Sequence, residues 1–175
     1  YIFIGTGKIV NLTGSTLAGA NAANYTLSLT GAPTATADIT AKALTIGGTF
    51  TANSKEYDGT TAATIASNSL TLLTKVGSED VSLTSVAVFA DQNAGIGKTV
   101  SLTGSSLTGA DVANYTLSLT GAPTATANIT AKQITITPTA GQSKTEGNPD
   151  PVFLYTNSEW IDNTNFTGAL GRDAG

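Results

Sequence analysis

An all-β chain is predicted, and three observations predict it. The 42 residues Gly5 to Ile46 return as Gly95 to Ile136, 90 positions later, with 32 identities and no insertion. Most segments alternate apolar and polar residues at period two, the spacing that gives a strand one buried face. No window sustains the i, i+3, i+4 spacing of an amphipathic helix. A near-identical tandem copy is the mark of arrays built from one structural unit. The expected architecture is therefore a series of small β-sandwich domains, immunoglobulin-like or related, stacked as a rod.

The first copy begins with Val10 and Leu12, then Tyr25, Leu27 and Leu29, which place one apolar face inward with Ser and Thr outward. Thr30-Gly31-Ala32-Pro33 follows as a tight connection. Ile39 and Ala41 continue an odd-numbered apolar face, but Leu44 and Ile46 are even-numbered. A one-residue phase change sends side chains to the opposite face, so the strand must change the core it serves. The same flip separates Ile129 and Ala131 from Ile134 and Ile136, with Lys42 and Lys132 at the two crossovers. Boundaries near Ala41 and Ala131 follow, giving segments 1–41, 42–131 and 132–175. Tyr1 then begins inside one unit and Gly175 stops inside another, as in a window of a longer array.

Within segment 42–131, Asp58-Gly59 is a turn signal of the hairpin kind. Gly109 to Asn114 is the best candidate for a single helical turn. Tyr115, Leu117 and Leu119 repeat the alternation of the first copy, which predicts both leucines in the core and Ser118 in solvent. After Ala131 the repeat degenerates, and the tail carries Phe153, Tyr155, Trp160 and Phe166. Tyr1 to Ile4 is an apolar run where the second copy has the polar Asp91 to Ala94.

Composition narrows the chemistry. Thr, Ala and Gly supply 76 of 175 residues, whereas Asp, Glu, Lys and Arg together supply 11%. Threonine suits a half-buried pleated surface because its branched Cβ fits β geometry. The net charge is −4 and the eight cations stand singly, so no basic stripe exists for nucleic-acid phosphates. There is no Cys and no His, which removes disulfides, thiolate metal sites and the usual nucleophile–base pairs. The absence of Cys and Met alongside abundant Thr suits a long bacterial extracellular protein that avoids oxidisable side chains. No apolar run is long enough to span a membrane.

These landmarks resemble a known family. Lys55-Glu-Tyr-Asp-Gly-Thr-Thr61, Phe89-Ala-Asp-Gln-Asn-Ala-Gly-Ile-Gly-Lys98 and Gly109-Ala-Asp-Val-Ala-Asn-Tyr115 look like the YDG repeat of large bacterial surface and secreted adhesins, the filamentous-haemagglutinin-like proteins among them. Gly141 to Pro151, with Phe166 to Arg172, is similar to the MBG-type repeats that adjoin YDG units. The resemblance makes 1–41 the C-terminal part of a YDG-like repeat, 42–131 a complete one, and 132–175 the N-terminal part of an MBG-like one. It implies an extracellular stalk module at the bacterial cell surface, without catalysis or cofactor. Its partners would be neighbouring repeats and, in a filament, other copies of the chain.

Candidate sites are few. Asp58 reads as a turn residue bonding to nearby backbone N–H groups, with Tyr57 packed in the core. Glu79-Asp80 and Asp91 to Asn93 offer hard oxygens for calcium, although neither forms a recognisable calcium loop. Asn128 is a strand partner for a Lys–Asn isopeptide staple, yet the first copy has Asp38 there. Phe153, Tyr155 and Trp160 are the candidate stacking residues for a glycan, and packing in a core is the other use of the same rings. No catalytic, cofactor or metal residue is assigned. Three functions stay open: a stalk, a glycan-binding C-terminal unit, and a filament subunit closed by strand exchange.

Overall fold

A computed structural model of the chain describes residues 3–159 and 166–173. The protein is all-β. Its described strands are β1 (Gly5–Val10), β2 (Ala35–Ile39), β3 (Lys42–Gly47), β4 (Phe50–Ala52), β5 (Lys55–Glu56), β6 (Ala62–Ala63), β7 (Ile65–Asn68) and β8 (Thr71–Leu73). They continue as β9 (Ser82–Thr84), β10 (Ala87–Phe89), β11 (Gly95–Ser101), β12 (Ser106–Thr108), β13 (Tyr115–Ser118), β14 (Ala125–Thr130), β15 (Ile136–Pro138) and β16 (Tyr155–Asn157). Single 3-10 turns occupy Ala22–Asn24 and Val112–Asn114. The chain divides into two compact units.

Unit one comprises Tyr1–Gly47, Leu70–Ser85 and Ser105–Ala122. Its main sheet has the order β13-β3-β8, with β13 parallel and β8 antiparallel to β3. Leu44, Val81 and Tyr115 form the buried cluster, and Leu72 and Leu107 pack against it half-buried. Two-stranded β9–β12 and β1–β2 complete the unit.

Unit two comprises Gly48–Ser69, Val86–Gly104 and Pro123–Gly175. Five strands lie in the order β5-β14-β11-β10-β6, and β5 runs parallel to β14. Buried Ala87, Phe89, Val100, Ala127 and Ile129 come from three of those strands, and Phe50 and Leu102 are buried as well. The two-stranded pairs β4–β7 and β15–β16 complete the unit.

The phase change at the end of each copy is realised as a break between strands. β2 ends at Ile39 and β3 starts at Lys42, pairing with different partners. The even-numbered Leu44 and Ile46 are buried on β3, while β2 and β3 both belong to unit one.

Two expectations are corrected. Asp58-Gly59 does not close a hairpin, because β5 and β6 lie at opposite edges of the five-stranded sheet. Gly59 has φ +75°, so the turn exists but launches a connection across the sheet. The pleat of β13 is less one-sided than its alternation suggests: Leu117 and Ser118 are both half-buried, and so is Leu119. Parallel pairing with β3 packs neighbours beside both residues, which alternation within one strand cannot reveal.

The largest departure concerns the first copy, whose predicted inward face is open. Val10, Leu12, Tyr25 and Ile39 are 50%, 53%, 72% and 38% exposed, whereas Val100, Leu102, Tyr115 and Ile129 are 0%, 2%, 6% and 2% exposed. The cause is partnership rather than sequence. β13 forms against β3, and β12 against β9, while the duplicates Tyr25 to Ser28 and Thr16 to Ala18 have no such partner and form no strand. Local elements survive in both copies. Each keeps its 3-10 turn, and each keeps the turn closed by Ala32 N–H to Leu29 C=O or Ala122 N–H to Leu119 C=O, both 3.1 Å. Gly31 and Gly121, at φ +75° and +72°, supply the left-handed third residue of those turns.

Candidate functional site

Three side-chain clusters gather polar or aromatic groups among the described residues. The first is built on β5 and the loop after it. Lys55 Nζ lies 2.7 Å from Asp58 Oδ1 and also donates to the Thr60 carbonyl at 2.8 Å. Asp58 Oδ1 accepts from the Thr60 N–H at 2.9 Å and the Thr60 hydroxyl at 2.8 Å. The ammonium stands 5.7 Å from the centre of the Phe89 ring, within cation–π range. The Lys55 ammonium, aided by the Thr60 donors, lowers the Asp58 carboxyl to about 2. Such a carboxylate is a weak base near neutral pH, so the Thr60 hydroxyl beside it is held rather than activated. Asp58 thus has the predicted turn geometry. Tyr57 is only half-buried, and its backbone N–H donates to the Thr130 carbonyl at 2.8 Å, adding a rung beside β14.

The second cluster lies in unit one. Tyr115 hydroxyl donates to the Glu79 carboxylate and accepts from the Val76 N–H at 3.1 Å. The bond to Glu79, with burial, raises the phenol above its usual range. Asp80 N–H donates to Asp111 Oδ2 at 2.8 Å, and Ala110 N–H donates to Asp80 Oδ2 at 3.0 Å. Gly109, at φ +122°, makes this approach possible: a Cβ there would sit 2.3 Å from the Asp80 carbonyl oxygen. Glu79 and Asp80, the residues considered for calcium, thus each accept a bond from a protein donor. The same holds for Asp91, which takes Lys98 Nζ at 2.5 Å and the Asn93 N–H at 2.8 Å. Lys98, foremost, and Asn93 hold its carboxyl below the ordinary range. No group of three His, Cys, Asp or Glu gathers among the described residues.

The third cluster is in the tail. Tyr155 and Phe166 meet edge to face, with ring centres 5.3 Å apart and planes at 76°. A hollow of about 250 Å³ lies beside them, bordered by Asp150, Phe153 and Leu170. Asp150 is bound by Arg172 Nε at 2.9 Å and Lys144 Nζ at 3.0 Å, and those partners, Arg172 foremost, lower its carboxyl. Phe153 is half-buried and Tyr155 is 40% exposed. Trp160, the third predicted stacking residue, lies outside the described residues. Asn128 Oδ1 accepts the Gly97 N–H at 2.8 Å, so the side chain considered for an isopeptide staple holds a β11–β14 contact instead; Lys132 pairs with Glu159 at 2.5 Å.

The sequence reading missed the Lys55–Asp58 pair and the Tyr115–Glu79 clamp. The i, i+3 spacing of the first was a usable signal; the 36-residue separation of the second gave none.

A family model described as the YDG domain matches residues 40–127. The chain belongs to the YDG domain family. The match takes in the Lys55–Asp58 loop, the Tyr115 clamp and every strand from β3 to β13. Neither a curated protein nor a solved structure matches the chain. In YDG terms, Tyr57-Asp58-Gly59 is the loop that leaves β5, beside the β5–β14 pairing.

Proposed function

We propose that this chain is a structural stalk or spacer segment of a bacterial extracellular repeat adhesin or fibre, displayed at the cell surface and without catalysis. The observation that carries the reading is the 90-residue repeat, in which the YDG unit is preceded by a stretch closely similar to its C-terminal part; it supports small β-sandwich domains in tandem, arranged as a rod. The resemblance of the tail to an MBG-type repeat belongs to the same reading. Parallel pairing supports a load-bearing role. β3 with β13, and β5 with β14, tie early strands of the YDG unit to late ones. Pulling parallel neighbours by opposite ends loads their hydrogen bonds together rather than one at a time. Small-angle scattering on a multi-repeat chain tests the proposal. Each added unit should lengthen the particle by roughly 35–45 Å, given a radius of gyration of about 12 Å for a domain of this size. A compact particle that grows in all directions overturns it.

A second reading is favoured by one observation, the Tyr155–Phe166 pair beside its hollow. Aromatic faces next to a carboxylate suit a sugar, so the C-terminal segment is the alternative glycan-binding module. A glycan array comparing the protein with Tyr155→Ala and Trp160→Ala tests it; signal unchanged by both substitutions removes it.

A further inference from the structure

β3 is the strand by which the chain enters the YDG unit, and three elements hold it. β2 ends at Ile39 and β3 starts at Lys42, so a pull from the preceding segment reaches β3 with little slack. On one side β13 runs parallel to β3 in the register Lys42↔Tyr115, Ala43↔Thr116, Leu44↔Leu117 and Thr45↔Ser118. On the other, β8 runs antiparallel through Thr45↔Leu73, Ile46↔Leu72 and Gly47↔Thr71. The third element is the loop 74–80, which leaves β8 and is fastened to the head of β13.

That loop is built as a strap. Thr74 turns it with φ +67°, the only positive φ outside glycine among the described residues, and a β-branched side chain is strained there. The Thr74 hydroxyl lies 2.6 Å from the Leu73 carbonyl and 3.3 Å from the Ala43 carbonyl on β3. Two residues on, the Val76 N–H donates to the Tyr115 hydroxyl, which itself donates to Glu79. Asp80 fastens the far end: its carbonyl accepts the Asp111 N–H at 3.0 Å, and its N–H donates to Asp111 Oδ2 at 2.8 Å. Lys42, Val76, Glu79 and Tyr115 border one hollow, which sets the strap beside the start of β3.

The polarity of the strands decides how this assembly meets a pull. Parallel strands gripped by opposite ends must slide, with every rung loaded at once; gripped by the same end, they open rung by rung. The chain enters at the head of β3 and leaves downstream of β13, past Thr130, so tension along it acts on opposite ends of the pair. Sliding must also break the buried contact of Leu44 with Tyr115. β5 and β14, the other parallel pair among the described strands, repeat the polarity over Lys55↔Ile129 and Glu56↔Thr130.

We propose that β3, β13 and the strap 74–80 form a mechanical latch, which holds the YDG unit closed against tension applied along the chain. The latch is directional, a property that thermal stability alone does not confer. Its use in the cell rests on the stalk reading; its presence in the fold does not.

The chain has no Cys, so two introduced thiols define where it is pulled. Lys42→Cys with Thr120→Cys grips opposite ends of the pair, and Lys42→Cys with Ala113→Cys grips the same end; all three positions are exposed. In optical tweezers at one constant force, the 175-residue chain should survive about tenfold longer or more when gripped by opposite ends, because several hydrogen bonds must yield together. Adding Tyr115→Phe, which unfastens Val76 and Glu79, should shorten the opposite-end lifetime more than the same-end one. Equal lifetimes in the two directions overturn the latch. A ratio of lifetimes that Tyr115→Phe leaves unchanged overturns the part given to the strap. Neither result bears on the scattering test: a rod without the latch keeps the stalk reading, and a compact particle with the latch loses it.

Discussion

Tyr25 and Tyr115 occupy the same position in two copies of ANYTLSLTGAPTATA, yet one is 72% exposed and the other 6%. Identical flanking residues rule out local propensity as the cause. The difference is β3, whose Lys42 pairs with Tyr115 and whose Leu44 shares its buried cluster. The chain thus contains its own control for each core residue: a copy in which the same side chain is covered, and one in which it is not.

That control makes the Tyr115 clamp testable. Tyr115→Phe removes the donor to Glu79 and the acceptor for Val76, leaving part-buried polar groups unpaired. Its melting temperature should fall by a few degrees, whereas Tyr25→Phe should leave it unchanged. The raised Tyr115 pKa adds a pH signature. Its contribution is complete below the ordinary phenol value of 10.0 and is lost as pH rises through the raised one. The gap between the parent and Tyr115→Phe should therefore narrow in strongly alkaline melts. A constant gap would remove the clamp.

Leu12 and Leu102 form the matching apolar pair, 53% and 2% exposed. Leu102→Ala should cost about 2–5 kcal/mol, the range for emptying a packed leucine site. Leu12→Ala should change stability by less than about 0.5 kcal/mol, as for exposed positions. Urea melts of both variants decide the matter, and equal losses would mean that the first copy is as well covered as the second.

What could be read from the residues divides along the same line. Turns and 3-10 segments were legible because Gly31, Gly121 and the Gly109–Asn114 stretch act through neighbours a few positions away. The change of buried face at Lys42 was legible because alternation flips within one short stretch, and β3 there buries Leu44 and Ile46. Strand partners were not. β5 pairs with β14 across more than 70 residues, and nothing in Asp58-Gly59 says that the chain will cross the whole sheet rather than turn back. The exposed face of the first copy was equally hidden, since its sequence matches a buried one. Of the three stacking candidates in the tail, the structure places Phe153 and Tyr155 beside one hollow, where Phe166 also lies.

Gly19 and Gly109 separate backbone strain from steric contact. Both have left-handed φ, +119° and +122°, but an added Cβ meets nothing at Gly19 and the Asp80 carbonyl at Gly109. Gly19→Ala should cost only what its strained φ demands, about 1–3 kcal/mol at most. Gly109→Ala should cost more, because the Asp80–Asp111 stitching must open to admit the methyl group. Thermal melts of the two variants should rank them in that order, and a Gly109→Ala protein as stable as Gly19→Ala would show that the loop yields freely.

The Lys55–Asp58 pair sets an acid limit. The folded carboxyl lies at about 2, against 3.8 without its partners, because it accepts from Lys55 and twice from Thr60. A depressed acid pKa stabilises the fold above the unfolded value and loses that contribution as pH falls toward the folded one. The Asp58 contribution should thus be whole above about pH 5 and fade between roughly pH 4 and 2. Asp58→Asn keeps an acceptor for the Thr60 N–H but carries no charge for Lys55. Its melting temperature should lie below the parent's at pH 7 and approach it near pH 2. The exposed carboxylate and solvent screening keep the gap small, and added salt should shrink it further. Parallel melting curves that never converge as the pH falls would mean that Asp58 acts through loop geometry alone, with no electrostatic share.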